Sequence, residues 1–86
     1  MDVVVYGPLR GATGAKTVRV DVDDGTVRAA LDALVAAHPR VAQHLYRADG
    51  SLAPSVRLSV DGERADPGDP CPPDATLSIH PAMRGG

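Results

Sequence analysis

The sequence contains no tryptophan and no phenylalanine, and Tyr6 and Tyr46 are its only large aromatic side chains. A hydrophobic core must therefore consist of valine, leucine, isoleucine and alanine. Proteins that bind single-stranded nucleic acids stack the bases on exposed aromatic rings, and binding to phosphate backbones calls for clustered basic residues. This chain has neither feature, and its net charge is −2. We therefore expect no nucleic acid among its partners.

Cysteine is also scarce, because Cys71 stands alone. A single cysteine forms neither an internal disulfide nor a cysteine-only metal site. The acidic residues Asp21, Asp23 and Asp24 lack the spacing of a calcium-binding loop. No motif in the sequence pairs a nucleophile with a base. We therefore expect no metal, no cofactor and no catalytic centre of the protein's own.

The sequence has no apolar run of transmembrane length and no signal-peptide pattern. Its 86 residues are 43% hydrophobic and 23% charged, which is typical of a globular domain. We expect one small domain with a modest core, located in the cytoplasm and without a membrane partner.

Alternating and β-branched residues predict five strands. The first is almost wholly apolar, which indicates a central strand with neighbours on both sides. In the second, Val18, Val20 and Val22 alternate with polar residues, and this strand is expected to form a hairpin with the first. Asp61-Gly62 predicts a two-residue hairpin turn. The predicted strands cover residues 2–6, 16–22, 55–60, 63–65 and 76–80. Gly7-Pro8 is expected to break the first strand, and the glycine-containing segment 9–15 is predicted to be a loop.

One main helix is predicted between the second and third strands, over residues 27–37. Its apolar residues, including Val27, Leu31 and Leu34, recur at helical spacing. Thr26 is a suitable N-cap, and the helix is expected to end before Pro39 because a residue preceding proline avoids helical backbone. A short helical turn is predicted for residues 41–46.

This order of elements predicts an α+β fold with one helical layer on a mixed sheet. With the helix on the apolar sheet face, the first and last strands can lie side by side and parallel in the middle. This arrangement is a β-grasp, the ubiquitin-like fold, with four to five strands and one main helix. We assign residues 1–80 to this domain and residues 81–86 to a flexible C-terminal tail.

The chain ends on a diglycine, Gly85-Gly86, shortly after the last predicted strand and Pro81. Glycine has no Cβ, so a narrow channel can close around the backbone of both residues. Six extended residues reach about 20 Å, which allows the tail to enter a partner's active site while the domain docks outside. We therefore hypothesise that the domain serves to present the carboxylate of Gly86.

The sequence resembles the ubiquitin-like sulfur carriers, the MoaD/ThiS family together with the small archaeal ubiquitin-like modifiers, over nearly its whole length. Leu9-Arg10 followed by Gly14 is similar to a segment of molybdopterin synthase small subunits. The stretch from Gly25 to Leu34, followed by His38-Pro39, carries a second similarity. The third is the terminus from Ile79 to Gly86, which is similar to the family's ending of a strand, prolines and a diglycine.

This resemblance implies that an ATP-dependent, ubiquitin-activating-type enzyme adenylates Gly86, so the protein is a substrate of enzymes and not an enzyme. It implies that a sulfur donor then converts the adenylate to a thiocarboxylate, as in the small subunit of molybdopterin synthase. The implied partners are the activating enzyme, the sulfur donor, and a molybdopterin synthase large subunit or target proteins. Recognition of the tail is assigned to Pro81, Met83, Arg84 and Gly85.

The sheet face directed away from the helix is the predicted docking surface. If Val3 and Val5 point inward, alternation places on this face Val4, Tyr6, Arg57, Ser59, Ser78 and His80, with Arg19 further out. Exposed apolar side chains beside arginines are typical of protein–protein contacts.

Two alternative functions stay open at this point. The protein can be a ubiquitin-like modifier joined through Gly86 to lysines of other proteins. Self-conjugation would then use Lys16, the single lysine, or the N-terminal amine. The other alternative is a β-grasp binding module whose tail is inert.

Overall fold

The computed structural model of the protein describes residues 1–22 and 25–80. Within these ranges the chain folds into a five-stranded mixed sheet accompanied by helices. The strands are β1 (Asp2–Val5), β2 (Thr17–Arg19), β3 (Arg57–Val60), β4 (Glu63–Ala65) and β5 (Thr76–His80). The helices are α1 (Pro8–Thr13), α2 (Val27–Ala37) and α3 (Ala42–Leu45), and a 3-10 turn at Pro39–Val41 precedes α3.

The strand order in the sheet is β2-β1-β5-β3-β4, so β5, the last strand of the sequence, is the middle strand. It runs parallel to β1, with Asp2 beside Thr76 and Val5 beside Ile79. The pairs β1–β2, β3–β5 and β3–β4 are antiparallel. The prediction of an α+β, β-grasp fold with parallel first and last strands in its middle is confirmed.

The core forms between the inner sheet face and the main helix α2. Val3 and Val5 are fully buried, and so are Leu77 and Ile79 on the neighbouring strand. They belong to one cluster with the buried residues of α2, which are Val27, Ala30, Leu31 and Leu34. Because the sequence lacks tryptophan and phenylalanine, leucine and isoleucine are the largest of these buried side chains. Each stabilises the fold by about 1.5–3 kcal/mol when fully buried.

The boundaries of α2 agree with the prediction. The Thr26 hydroxyl oxygen accepts a hydrogen bond from the Ala29 N–H at 3.2 Å and satisfies one donor of the first turn. The helix ends at Ala37, where the His38 N–H makes the last bond, to the Leu34 carbonyl at 2.8 Å, before Pro39.

The prediction that residues 9–15 form a loop is wrong, because Pro8–Thr13 is the helix α1. Pro8 stands at its first turn, where a missing N–H costs nothing. Gly14 caps its end in the left-handed conformation, with φ 77°, and donates to the Arg10 carbonyl at 2.8 Å. Leu9 is fully buried and fixes this short helix to the core.

Three predicted strands are shorter than expected. The first was expected over residues 2–6 but ends at Val5. The second was expected over residues 16–22 but ends at Arg19, although the Val20 N–H still donates to the Met1 carbonyl at 3.0 Å. The third begins at Arg57 because the Val56 N–H donates to the Ala53 carbonyl within a turn. The inward direction of Val18, Val20, Val56 and Leu58 is nevertheless as predicted.

The predicted hairpin turn between β3 and β4 is confirmed. Asp61 and Gly62 both have positive φ, 49° and 86°, as a tight type I′ turn requires. Asp61 Oδ1 accepts a hydrogen bond from the Thr76 N–H at 2.9 Å, and the Asp61 N–H donates to the Thr76 carbonyl at 2.9 Å. These two bonds fix the turn to the first residue of β5.

Candidate functional site: the outer sheet face beside the C-terminal tail

The strand β5 ends at His80, directly before the predicted C-terminal tail. It is hydrogen-bonded to β1 on one side and to β3 on the other, and Ile79 is fully buried. The sheet therefore anchors the chain up to His80. The predicted tail, residues 81–86, lies outside the described residues, so the roles of Pro81, Met83, Arg84, Gly85 and Gly86 stay predictions.

The outer sheet face collects the residues that were predicted to form a docking surface. Because Val3 and Val5 are fully buried, the alternating side chains of Val4 and Tyr6 lie on the opposite face. The strand register places Val4 beside Ser78, Ser59 beside Ser78, and Arg57 beside His80. Paired residues share one face of a sheet, so the structure brings these six side chains together. Their role in docking stays a prediction.

The two ends of this face differ in charge. At one end, Arg19 forms an ion pair with Asp2, with Arg19 Nε 3.7 Å from Asp2 Oδ1. At the other end, where β5 leaves the sheet, the Tyr6 ring stacks on the His80 imidazole. Their centroids are 4.2 Å apart and their planes differ by 8°. The Lys16 ammonium lies 5.9 Å from the centre of the Tyr6 ring, within the range of a cation–π interaction.

Two features of this face were not predicted from the sequence. Arg64 pairs with Ser59 across the β3–β4 hairpin and therefore belongs to the outer face. The two-residue turn at Asp61-Gly62 fixes this register, so the sequence held enough information to place Arg64. The position of Lys16 over Tyr6 depends on the chain path after α1, which was predicted to be a loop.

The chain's two amines are held differently. The N-terminal ammonium of Met1 is partly buried and donates to the Val20 carbonyl at 3.0 Å. Lys16 is exposed. Lys16 is therefore the more accessible of the two to an electrophile.

Cys71 lies in the core, away from this face. Its side chain is fully buried and its Sγ donates to Met1 Sδ at 3.6 Å. Its N–H donates to the Gly25 carbonyl at 2.7 Å. Burial raises the pKa of the Cys71 thiol, and the Asp61 carboxylate raises it further. A buried thiol with a raised pKa is a poor nucleophile, so Cys71 serves packing.

Within residues 1–22 and 25–80, no three histidine, cysteine, aspartate or glutamate side chains are grouped so that they could hold a metal ion. The acidic residues Asp23 and Asp24 lie outside the described residues. None of the helices described above combines the length and apolar character needed to cross a membrane.

Known proteins and solved structures resemble this chain over nearly its whole length. No family model matches the chain. Small archaeal modifier protein 1 of Haloferax volcanii is 38% identical over 87 residues, covering 100% of both proteins. The crystal structure of SAMP1 from Haloferax volcanii has a TM-score of 0.92 at 38% identity, covering 100% of this chain and 98% of that chain. A chain of the Amycolatopsis orientalis BexX/CysO complex shares the fold, with a TM-score of 0.80 at 24% identity over 99% of this chain and 98% of that one.

Proposed function

The chain belongs to the small archaeal modifier protein family of ubiquitin-like modifiers and sulfur carriers, and on that premise we propose that it presents the Gly86 carboxylate to an ATP-dependent activating enzyme. Proteins of this kind are acted on by activating enzymes and are not enzymes themselves. The observation that carries the proposal is the central position of β5, which is paired on both sides and precedes the six-residue terminus. A strand that is anchored directly before the terminal residues suits a domain that presents its terminal carboxylate to a partner.

The first chemical step is adenylation. A carboxylate is a poor acyl donor, so a Gly86 oxygen attacks the α-phosphorus of ATP and pyrophosphate leaves. Gly85 and Gly86 fit a narrow channel because they lack Cβ atoms, while Pro81, Met83 and Arg84 supply further recognition of the tail. We place this ATP-dependent step in the cytoplasm.

The second step distinguishes two functions, of which the sulfur carrier is the first. A hydrosulfide ion released by the sulfur donor attacks the acyl carbon of the adenylate, AMP leaves, and the sulfur loses its proton, so that Gly86 ends in a thiocarboxylate. The similarity of the terminus from Ile79 to Gly86 to that of the sulfur carriers supports this course. We propose the large subunit of a molybdopterin synthase as the partner that uses this sulfur.

The second candidate function is protein modification. The name and the 38% identity of the Haloferax volcanii relative favour it. Here a lysine amine of a target attacks the acyl carbon of the adenylate, AMP leaves, and the nitrogen loses a proton as the isopeptide bond forms. Lys16, which is exposed, is the candidate acceptor within the chain itself.

The outer sheet face is the docking surface that we propose for these partners. It offers the half-buried side chains of Val4, Tyr6 and Ser59 between the exposed Arg57 and His80. Mixed apolar and basic surfaces of this kind are common in protein–protein contacts.

Mass spectrometry tests the proposal. If the protein is a carrier, protein isolated from its native host is expected to have one carboxylate oxygen of Gly86 replaced by sulfur. If it is a modifier, diglycine remnants are expected on lysines of other proteins. Deletion of Gly85-Gly86 is expected to abolish both signals. If the truncated protein retains every activity, the tail is inert and the chain is a binding module.

A further inference from the structure

We propose that Lys16, Tyr6, His80 and Arg57 form a docking site for an acidic surface of the activating enzyme. We call these four residues the cationic row. The inference rests on the proposed function, because it specifies the chemistry of the partner that adenylates Gly86.

The cationic row crosses four neighbouring strands at one end of the sheet. Lys16 precedes β2, Tyr6 follows β1, His80 ends β5 and Arg57 begins β3. The Lys16 ammonium lies 5.9 Å from the centre of the Tyr6 ring, and that ring stacks on His80 at 4.2 Å. Arg57 is the register partner of His80 on β3. Two cations therefore flank a stacked pair of rings, directly beside the point where the chain enters its terminal six residues. A partner that encloses the tail meets this row at the entrance to its channel.

Among the residues that the structure describes, no acidic side chain forms an ion pair with Lys16 or Arg57. Lys16 and Arg57 are exposed, and the ion pair found among the described residues joins Arg19 to Asp2. Asp2 lies four residues before Tyr6 on β1, about 13 Å away along the strand. Arg64, beside Ser59, adds another cation to the same face. The row is thus a local positive patch on a protein whose net charge is −2.

An acidic protein surface fits this patch better than a polyanion. The net negative charge of the chain repels an extended nucleic acid, whereas two carboxylates of a folded partner can contact Lys16 and Arg57 alone. Between the two cations, the half-buried Tyr6 and the exposed His80 add aromatic surface that such a partner can contact. Charges at the rim of an interface act mainly on the association rate and on its salt dependence.

The test is the adenylation of the full-length protein by the activating enzyme of the same organism. ATP–pyrophosphate exchange is the assay that measures its rate. Lys16→Gln and Arg57→Gln are each expected to raise the KM for this protein by about threefold to fivefold, with kcat unchanged. The double variant is expected to raise it by about tenfold and to flatten the dependence of KM on salt. Lys16→Arg and Arg57→Lys keep the charges and are expected to keep the KM.

Arg40→Gln is the matched control, because it removes the same charge from an exposed residue of the 3-10 turn rather than from the sheet. Its KM is expected to equal that of the unmodified protein. If Lys16→Gln and Arg57→Gln change the KM no more than Arg40→Gln does, the acidic docking site is refuted while adenylation of Gly86 still stands. If the unmodified protein is not adenylated at all, the proposed function fails and the docking inference falls with it.

Discussion

The Tyr6 ring stacks face to face on the His80 imidazole, with 4.2 Å between their centroids. These two residues come from opposite ends of the sequence and meet because β1 and β5 are parallel neighbours with Val5 beside Ile79. Stacked ring pairs contribute about 0.5–1.5 kcal/mol beyond the area that they bury. The stack therefore stabilises the sheet at the place where the chain leaves it.

Replacing Tyr6 tests this contribution. Tyr6→Ala is expected to lower the free energy of unfolding by about 1–2 kcal/mol, because it removes both the stack and a half-buried side chain. Tyr6→Phe keeps the ring and is expected to stay within about 0.5 kcal/mol of the unmodified protein. Urea denaturation followed by circular dichroism measures both. Equal losses for the two variants would show that the hydroxyl group, and not the stack, is responsible.

The anchoring of the tail by Ile79 leads to a second prediction. Ile79 is fully buried in the middle strand, so Ile79→Ala is expected to lower the free energy of unfolding by about 2–5 kcal/mol. Ser78→Ala, on the outer face of the same strand, is the control and is expected to change it by less than about 0.5 kcal/mol. Thermal unfolding of the two variants is the measurement. A similar melting temperature for both would contradict the anchoring of the strand through its inner face.

The hairpin at Asp61 gives a third prediction. Asp61→Ala removes the acceptor for the Thr76 N–H and leaves an alanine at φ 49°, so it is expected to cost about 1–3 kcal/mol. Asp61→Asn keeps an acceptor oxygen and tolerates this backbone conformation, and it is expected to cost less than half as much. Chemical denaturation of the two variants compares them. Equal costs would mean that the carboxylate charge, which asparagine lacks, is what matters at this turn.

Cys71 gives a fourth prediction. Its thiol is fully buried and its pKa is raised by that burial. Reaction with a thiol reagent at neutral pH is expected to be slower in the native protein than in urea by at least about a hundredfold. Rapid labelling of the native protein would contradict the burial of this side chain.

The raised pKa of Cys71 also implies a pH dependence of stability. A group that holds its proton more tightly in the folded state stabilises the fold fully below its unfolded pKa, which is about 8.5 for a thiol. That contribution is lost as the pH rises through the higher folded value. The free energy of unfolding is therefore expected to fall more steeply above about pH 9 than it does in Cys71→Ala. Tyr46, whose pKa burial also raises, is retained in both proteins and cancels in the comparison.

The strands and the main helix could be predicted from the sequence because each follows a simple local rule. Alternation placed Val18 and Leu58 inward, and the capping residue Thr26 marked the start of α2. Helix α1 was missed because Gly11 within it and the glycines on either side were interpreted only as loop residues. Pro8 at its start and Gly14 just past its end form the usual asymmetry of helix ends, and Leu9 between them was the apolar residue to notice.

The candidate site was predictable in part. The outer position of Val4 and Tyr6 followed from alternation once Val3 and Val5 were assumed to point inward. The stacking distance of Tyr6 and His80 and the place of Lys16 over the ring did not follow, because they depend on the register between β1 and β5 and on the chain path after α1. Sequence periodicity assigns a side chain to a face, but not to a neighbour on the next strand.

The parallel pairing of β1 and β5 has a mechanical consequence. The chain enters β1 at one end of this pair and leaves β5 at the other, so a force applied between the two termini pulls the strands past each other along their length. The hydrogen bonds that join them are then loaded together, in shear, instead of opening one after another. An unfolding enzyme that pulls on a molecule attached through the tail would have to break all of these hydrogen bonds at once. The domain is therefore expected to resist mechanical unfolding strongly for its size.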